Sequence, residues 1–230
     1  MYDNIKVIAF DADDTLWVNE PYFQEIESKF CQLMEDFHPQ HTVSRELLKI
    51  EINNLTHYGY GIKSFILSMI EAAIEMSGGT IRVEVIEKII GFGKEMLHKP
   101  IELLDGVEYV LKELNGTFRL VMATKGDLLD QERKLVKSGL EKYFHHIEIL
   151  SDKKESNYEK LIGHLDIAPG EFLMIGNSLK SDILPILNLG GHAFHVPYHT
   201  TWDHERIDHE IEHPNFKQLV KISDMLQYLI

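Results

Sequence analysis

Three observations predict an α/β fold: a parallel sheet core with a second, all-helical unit inserted into it. Residues 7–10 read Val-Ile-Ala-Phe, a short, continuously apolar run of the kind a strand buried on both faces requires. From about Pro21 to Pro100, apolar residues recur at helical spacing and no strand-like run intervenes. Beyond Leu104 strand-like and helix-like segments alternate, the rhythm of βα units. One strand therefore precedes the helical unit and the others follow it, so that unit is inserted just after the first strand.

Within the helical unit, Phe23, Ile26, Phe30, Leu33, Met34 and Phe37 mark the apolar face of a first helix, with Pro21 suited to its first turn. Ser44–Leu55 supplies a weaker second helix. Ile62, Phe65, Ile66, Met69, Ile70 and Ala73 give a cleaner stripe, stopped by Gly78-Gly79. Thr80 can cap the next helix, whose apolar positions include Val85, Ile86, Ile89 and Ile90.

In the alternating region, Gly106–Leu114 reads as a helix and Phe118–Ala123 as a strand. Leu128–Lys137 is helical, Ile147–Leu150 a strand, Tyr158–Leu165 helical, and Glu171–Ile175 a strand. Leu179–Leu189 contains a helix that Pro185 kinks or restarts. His192–Val196 is a further strand. Phe216, Leu219, Val220, Leu226 and Leu229 predict a terminal helix.

At 230 residues, 44% hydrophobic and 26% charged, the chain has ordinary globular composition and can bury a core as one domain or two. Its formal net charge of −14 argues against a nucleic-acid partner and disfavours anionic membranes. Cys31 is the single cysteine, so no intramolecular disulfide or cysteine metal cluster can form. Asp3 and Lys6 lead straight into the first strand, unlike a signal peptide, and no apolar run approaches bilayer length. A cytoplasmic protein is expected, as a monomer or homodimer.

Four polar groups fall at the carboxyl ends of predicted strands: Asp11-Ala12-Asp13-Asp14-Thr15, Thr124-Lys125-Gly126, Lys153-Lys154, and Gly176-Asn177-Ser178 with Asp182. Ligands of open α/β sheets bind in the crevice at those ends, where all four groups would converge. Asp11 and Asp13, two residues apart, can hold one Mg²⁺ while doing different jobs. A polar turn after a strand is the alternative for this pair, since Asp is common in turns.

This ensemble resembles the haloacid dehalogenase superfamily, and specifically its phosphatase branch. The matching motifs are Asp11-x-Asp13-x-Thr15, the lone Thr124 after a strand, a downstream lysine, and Gly176-Asn177-Ser178-x-x-x-Asp182, in the family's order along the whole chain. Each is weak alone and the ordered set is specific. The resemblance implies a Rossmann-like core formed by residues 1–17 and 103–230, with residues 18–102 as a helical cap domain.

It also implies roles. Asp11 is the nucleophile that becomes an aspartyl phosphate, and Asp13 the acid that protonates the leaving oxygen and then deprotonates the hydrolytic water. Asp11, the main-chain carbonyl of Asp13 and Asp182 are the expected protein ligands of Mg²⁺. Thr124 and Lys125 contact the phosphate, and Lys153 offsets its charge, with Lys154 as the rival. Many relatives carry Gly-Asp where this chain has Gly176-Asn177, and Asn177 could bind a metal-bound water. An acid at position 13 favours phosphate-ester hydrolysis over halide displacement. The expected substrate is a small phosphorylated metabolite. A 2-haloacid dehalogenase and a catalytically weak, phosphometabolite-binding regulator are the alternatives.

His192, His195, His199, His204, His209 and His213 crowd the last third and are read as surface or loop histidines. Tyr198 through Trp202 can border the crevice. Cys31 and the Phe65–Met69 stripe are read as core of the helical unit.

Overall fold

A computed structural model describes residues 2–230. Among the described residues six strands form one sheet: β1 Val7–Phe10, β2 Arg119–Lys125, β3 His146–Leu150, β4 Phe172–Gly176, β5 His192–His195 and β6 Phe216–Gln218. Their order is β3-β2-β1-β4-β5-β6, and every neighbouring pair is parallel. The order reverses between β1 and β4, so the crevice of a doubly wound sheet opens at their carboxyl ends. The register is close: Phe10 pairs with Met122 on one side and Ile175 on the other.

The apolar run of β1 is explained by the two cores it serves. Ile8 and Phe10 face one cluster with Leu120, Met122, Leu173 and Ile175; Val7 and Ala9 face the other with Val121, Ala123, Phe172 and Met174. Alternate side chains of a strand point to opposite faces, so a strand covered on both sides has no polar position to show. The first cluster is completed by helix α5 (Val107–Leu114), the second by α7 (Glu155–His164) and α8 (Leu184–Asn188).

By its contacts the chain separates into two compact units. The α/β unit comprises residues up to Glu20, Ile101–Lys125 and Gln131–Ile230; the helical unit comprises Pro21–Pro100 with Gly126–Asp130. The short segment 126–130 joins the helical unit although it lies far along the chain. The helices are α1 Glu20–Leu33, α2 Gln40–Tyr58, α3 Ile62–Met76 and α4 Val83–His98, around a core of Ile26, Phe30, Met34, Leu47, Met69 and Ile89, with Cys31 among them. A Cβ on Gly93 would stand 2.7 Å from Ile66 Cγ1, so glycine allows α4 to approach α3.

Two expectations need correction, and one choice left open is resolved. Thr80 does not cap α4: the residue before the helix is Arg82, which makes no capping bond, and the Thr80 hydroxyl donates to the carbonyl of Ser77 at 2.7 Å. Pro185 restarts the helix rather than kinking it: a π-helical turn, Leu179–Ile183, is followed by α8, with Pro185 in its first turn. The terminal helix does not run from Phe216. Phe216–Gln218 is the edge strand β6, a 3₁₀ turn covers Ile222–Met225, and helix α9 is only Leu226–Leu229. Phe216 and Leu219 stand three apart, which mimics a helical stripe, but Val220 is 92% exposed and Ile222 and Met225 are buried instead. Among the described residues no helix is long and apolar enough to cross a membrane.

Candidate active site

The chain leaves β1 at Phe10 and extends its ladder by one bond, Asp11 N–H to the carbonyl of Ile175 at 2.9 Å. It then coils tightly: the carbonyl of Ala12 accepts from Thr15, Leu16 and Trp17, and Asp14 N–H donates to the carbonyl of Trp17. Asp14 adopts φ +61°, a left-handed conformation that Asp tolerates better than most residues. Its carboxylate accepts from Asn19 N at 2.8 Å and Glu20 N at 2.9 Å, capping the start of α1. Burial pushes the Asp14 carboxyl up to about 7, and the Asn19 amide pulls against that rise.

Asp11 is buried against Lys153. One carboxylate oxygen, Oδ1, accepts from Lys153 Nζ, and Oδ2 accepts from Thr15 Oγ1 at 3.1 Å. The same ammonium donates to Asp182 Oδ1 at 2.6 Å. Burial raises the Asp11 carboxyl, with Lys153 opposing and Asp182 reinforcing the rise. Burial works against the Lys153 charge too, but the two carboxylates outweigh it and hold the ammonium well above its ordinary range. The lysine pair thus divides: Lys153 is 3% exposed and sits between two aspartates, while the Lys154 side chain is largely exposed and pairs with Asp152.

Asp182 occupies the π-helical turn after β4, a distortion common at functional sites. Its Oδ2 accepts from Ser178 N at 3.0 Å. A Cβ on Gly176 would lie 2.2 Å from that oxygen, so only glycine leaves room for the carboxylate. Both Asp182 oxygens thus accept from protein donors, Oδ1 from Lys153 and Oδ2 from Ser178. The Asn177 amide stands 3.2 Å from Asp11 Oδ2 and 3.3 Å from the main-chain carbonyl of Asp13. With its nitrogen turned inward, the amide donates to both of these oxygens and to Thr15 Oγ1 at 3.3 Å. Turned the other way, its oxygen would join Asp11 Oδ2 and the Asp13 carbonyl as a set of hard oxygens of the kind that suits Mg²⁺. Among the described residues, no group of three or more His, Cys, Asp or Glu forms a metal centre.

Asp13 faces a different set of donors. Its Oδ1 accepts from Trp17 Nε1 at 2.8 Å and from Lys134 Nζ at 2.9 Å, and its Oδ2 from Gln131 Nε2 at 2.8 Å. Gln131 and Lys134 lie three apart on one face of α6 (Leu128–Ser138). The Gln131 amide also donates to Thr124 Oγ1 at 3.1 Å, tying the Thr124 loop to Asp13. Thr124 is itself buried at the end of β2.

Lys125 has two partners of its own. Its ammonium bonds to the Glu205 carboxylate and to Ser181 Oγ at 3.0 Å. Glu205 also accepts from Ser178 Oγ and Ser181 Oγ, each at 2.5 Å. Burial would raise the Glu205 carboxyl, but Lys125 and the two hydroxyls overcome it and bring it down to about 2.

Sequence reasoning missed Gln131, Lys134 and Glu205. The first two had a signal, polar residues three apart in the helix following Thr124. Glu205 had none, being 80 positions from Lys125 on a 3₁₀ turn, Asp203–Glu205. The histidine reading also needs amendment: His192 and His195 belong to β5 and are buried, and His195 Nε2 bonds the main-chain carbonyl of Asn177 at 3.0 Å.

A buried Asp–Lys–Asp cluster thus lies at the switch point of a doubly wound sheet. The chain belongs to the haloacid dehalogenase-like hydrolases, whose family model matches residues 5–190. Among curated proteins it is 30% identical over 125 residues to N-acylneuraminate-9-phosphatase of Mus musculus, covering 52% of this chain and 50% of that protein. The chain thus spans about half the length of the curated relatives it matches. Among solved structures it resembles a haloacid dehalogenase-like family hydrolase from Xanthomonas campestris, with TM-score 0.88 and 33% identity over 98% of this chain and 91% of that one. It shares its fold with YfnB of Bacillus subtilis, a HAD-hydrolase described as bound to magnesium (TM-score 0.64, 17% identity, 98% of each chain).

Proposed function

We propose that this chain is a Mg²⁺-dependent phosphatase that hydrolyses a phosphate monoester of a small metabolite through an aspartyl phosphate at Asp11. The observation that carries the reading is the second carboxylate: Asp13 stands two residues from the Lys153-paired Asp11, on its own donor set. Halide displacement needs no acid for its leaving group, whereas an ester oxygen does. The phosphatase named among the curated relatives supports the same side.

Asp11 attacks phosphorus, the ester P–O bond breaks, and its electron pair leaves on the ester oxygen, which takes the Asp13 proton. Water then adds at phosphorus while Asp13 takes its proton, releasing phosphate and the Asp11 carboxylate. Lys153 offsets the charge that Asp11 and the phosphoryl group would otherwise share. Thr124 offers its hydroxyl and the adjacent main-chain N–H groups to the phosphate. Asp11, the carbonyl of Asp13 and the Asn177 side chain would hold Mg²⁺, and Asp182 would serve by fixing Lys153. When bound, the metal supplies charge neutralisation at the transferring phosphoryl oxygens. The helical unit encoded between β1 and β2 is read as a cap domain that selects the substrate.

A panel of phosphorylated metabolites assayed with Mg²⁺ tests this reading. Hydrolysis should fall on the order of 10³-fold or more in Asp11→Asn, because the covalent route is lost. Asp13→Asn should lose about 10²- to 10⁴-fold while still binding Mg²⁺, since its contribution to the metal is a main-chain carbonyl. Halide release from a haloacid without phosphate release would replace the proposal with a dehalogenase.

A further inference from the structure

The two aspartates do not share one lysine. Asp11 has Lys153, and Asp13 has Lys134, whose ammonium is aimed by two acceptors, Asp13 Oδ1 at 2.9 Å and Asn19 Oδ1 at 2.8 Å. This pair is not an ordinary surface bridge: the side chains are 12% and 23% exposed, and the indole of the buried Trp17 donates to the same oxygen. Gln131 fixes the other oxygen. A carboxyl group held by three donors from two elements has one orientation, and a cation beside it costs nothing to reorganise when charge develops there.

We infer that Lys134 is a positioning residue for the leaving group's proton donor. It fixes the Asp13 carboxyl and stabilises the carboxylate that Asp13 becomes once the ester oxygen has taken its proton. The inference rests on the phosphatase reading and assigns a residue to its acid step. The atoms balance within that step: the P–O bond breaks, the oxygen gains the Asp13 proton, and the negative charge left on Asp13 lies against the Lys134 ammonium.

Leaving-group dependence separates this from a structural role. A nitrophenolate leaves without much help from an acid, whereas an alkoxide leaves poorly unless protonated. With the full chain and Mg²⁺, kcat/KM is measured for 4-nitrophenyl phosphate and for the best alkyl phosphate of a metabolite panel, in wild type, Lys134→Met and Lys134→Arg. Lys134→Met should lose at least about tenfold more on the alkyl ester than on the aryl ester. Lys134→Arg, which keeps a cation, should recover most of that difference. Thermal melting of each variant shows that it is folded; if Lys134→Met does not fold, Lys134→Gln replaces it in the same comparison. An equal loss on both esters, or no recovery with arginine, overturns the inference while leaving the phosphatase in place. No turnover of either ester by the wild type would overturn the phosphatase reading, and this inference with it.

Discussion

Glu205→Gln should weaken the α/β unit by an amount that the Glu205 surroundings fix. The carboxylate is largely buried, faces the Lys125 ammonium and accepts from two serine hydroxyls, which bring it down to about 2 from 4.5. That difference of about 2.5 units corresponds to about 3 kcal/mol of stability at neutral pH, at about 1.4 kcal/mol per unit. The folded-state value is depressed, so this contribution is complete above the unfolded value and is lost as pH falls through the folded one, between about pH 5 and 2. Gln keeps the shape and removes the charge, leaving Lys125 facing a neutral amide. Both tryptophans, Trp17 and Trp202, lie in the α/β unit, so their fluorescence follows its melting. At pH 7 the variant should melt about 6–12 °C below wild type. The gap should narrow steadily toward pH 3. A gap below about 2 °C at pH 7, or one unchanged at pH 3, would refute the reasoning.

The two lysines of the Lys153-Lys154 pair should behave oppositely. Lys153→Met leaves Asp11 and Asp182 facing each other within about 5 Å, a repulsion of about 3 kcal/mol at an effective dielectric of about 20, and should abolish turnover and lower the melting temperature. Lys154→Met should stay within about 0.5 kcal/mol of wild type with activity intact, and a reversed ranking in paired melting and rate measurements would disprove the assignment. Gly176→Ala should push the Asp182 carboxylate off its Ser178 bond, costing about 1–3 kcal/mol and most of the activity. Wild-type melting and rates in Gly176→Ala would show that the close approach is unimportant.

What was legible in the sequence follows from how local each signal is. β1, β2 and β4 are buried on both faces, so their apolar runs stand out without any partner being known. The four polar groups that follow strands are local as well, and sheet topology alone brings Asp11, Lys153 and Asp182 together. β6 was misread because three residues at a sheet edge carry too little periodicity to compete with a helical spacing continued by Leu219, Leu226 and Leu229. The placement of Asp182 against Lys153 and the Ser178 amide depends on the π-helical turn, a backbone distortion that side-chain types do not announce. Lys134 and Glu205 act across the fold on Asp13 and Lys125, and pairings between residues 80 to 121 positions apart have no spacing to read.

The coiled loop from Asp11 to Glu20 closes on itself through its own amides, carbonyls and the Asp14 carboxylate. The Ala12 carbonyl collects three amides, and the Asp14 carboxylate collects the Asn19 and Glu20 amides. On the proposed reading, a cation arriving here meets Asp11 and the Asp13 carbonyl already in place, with no loop left to order. Its capture should therefore be a one-step encounter, with an observed rate rising linearly with Mg²⁺ concentration in stopped-flow mixing and no saturation from a slower folding of the loop.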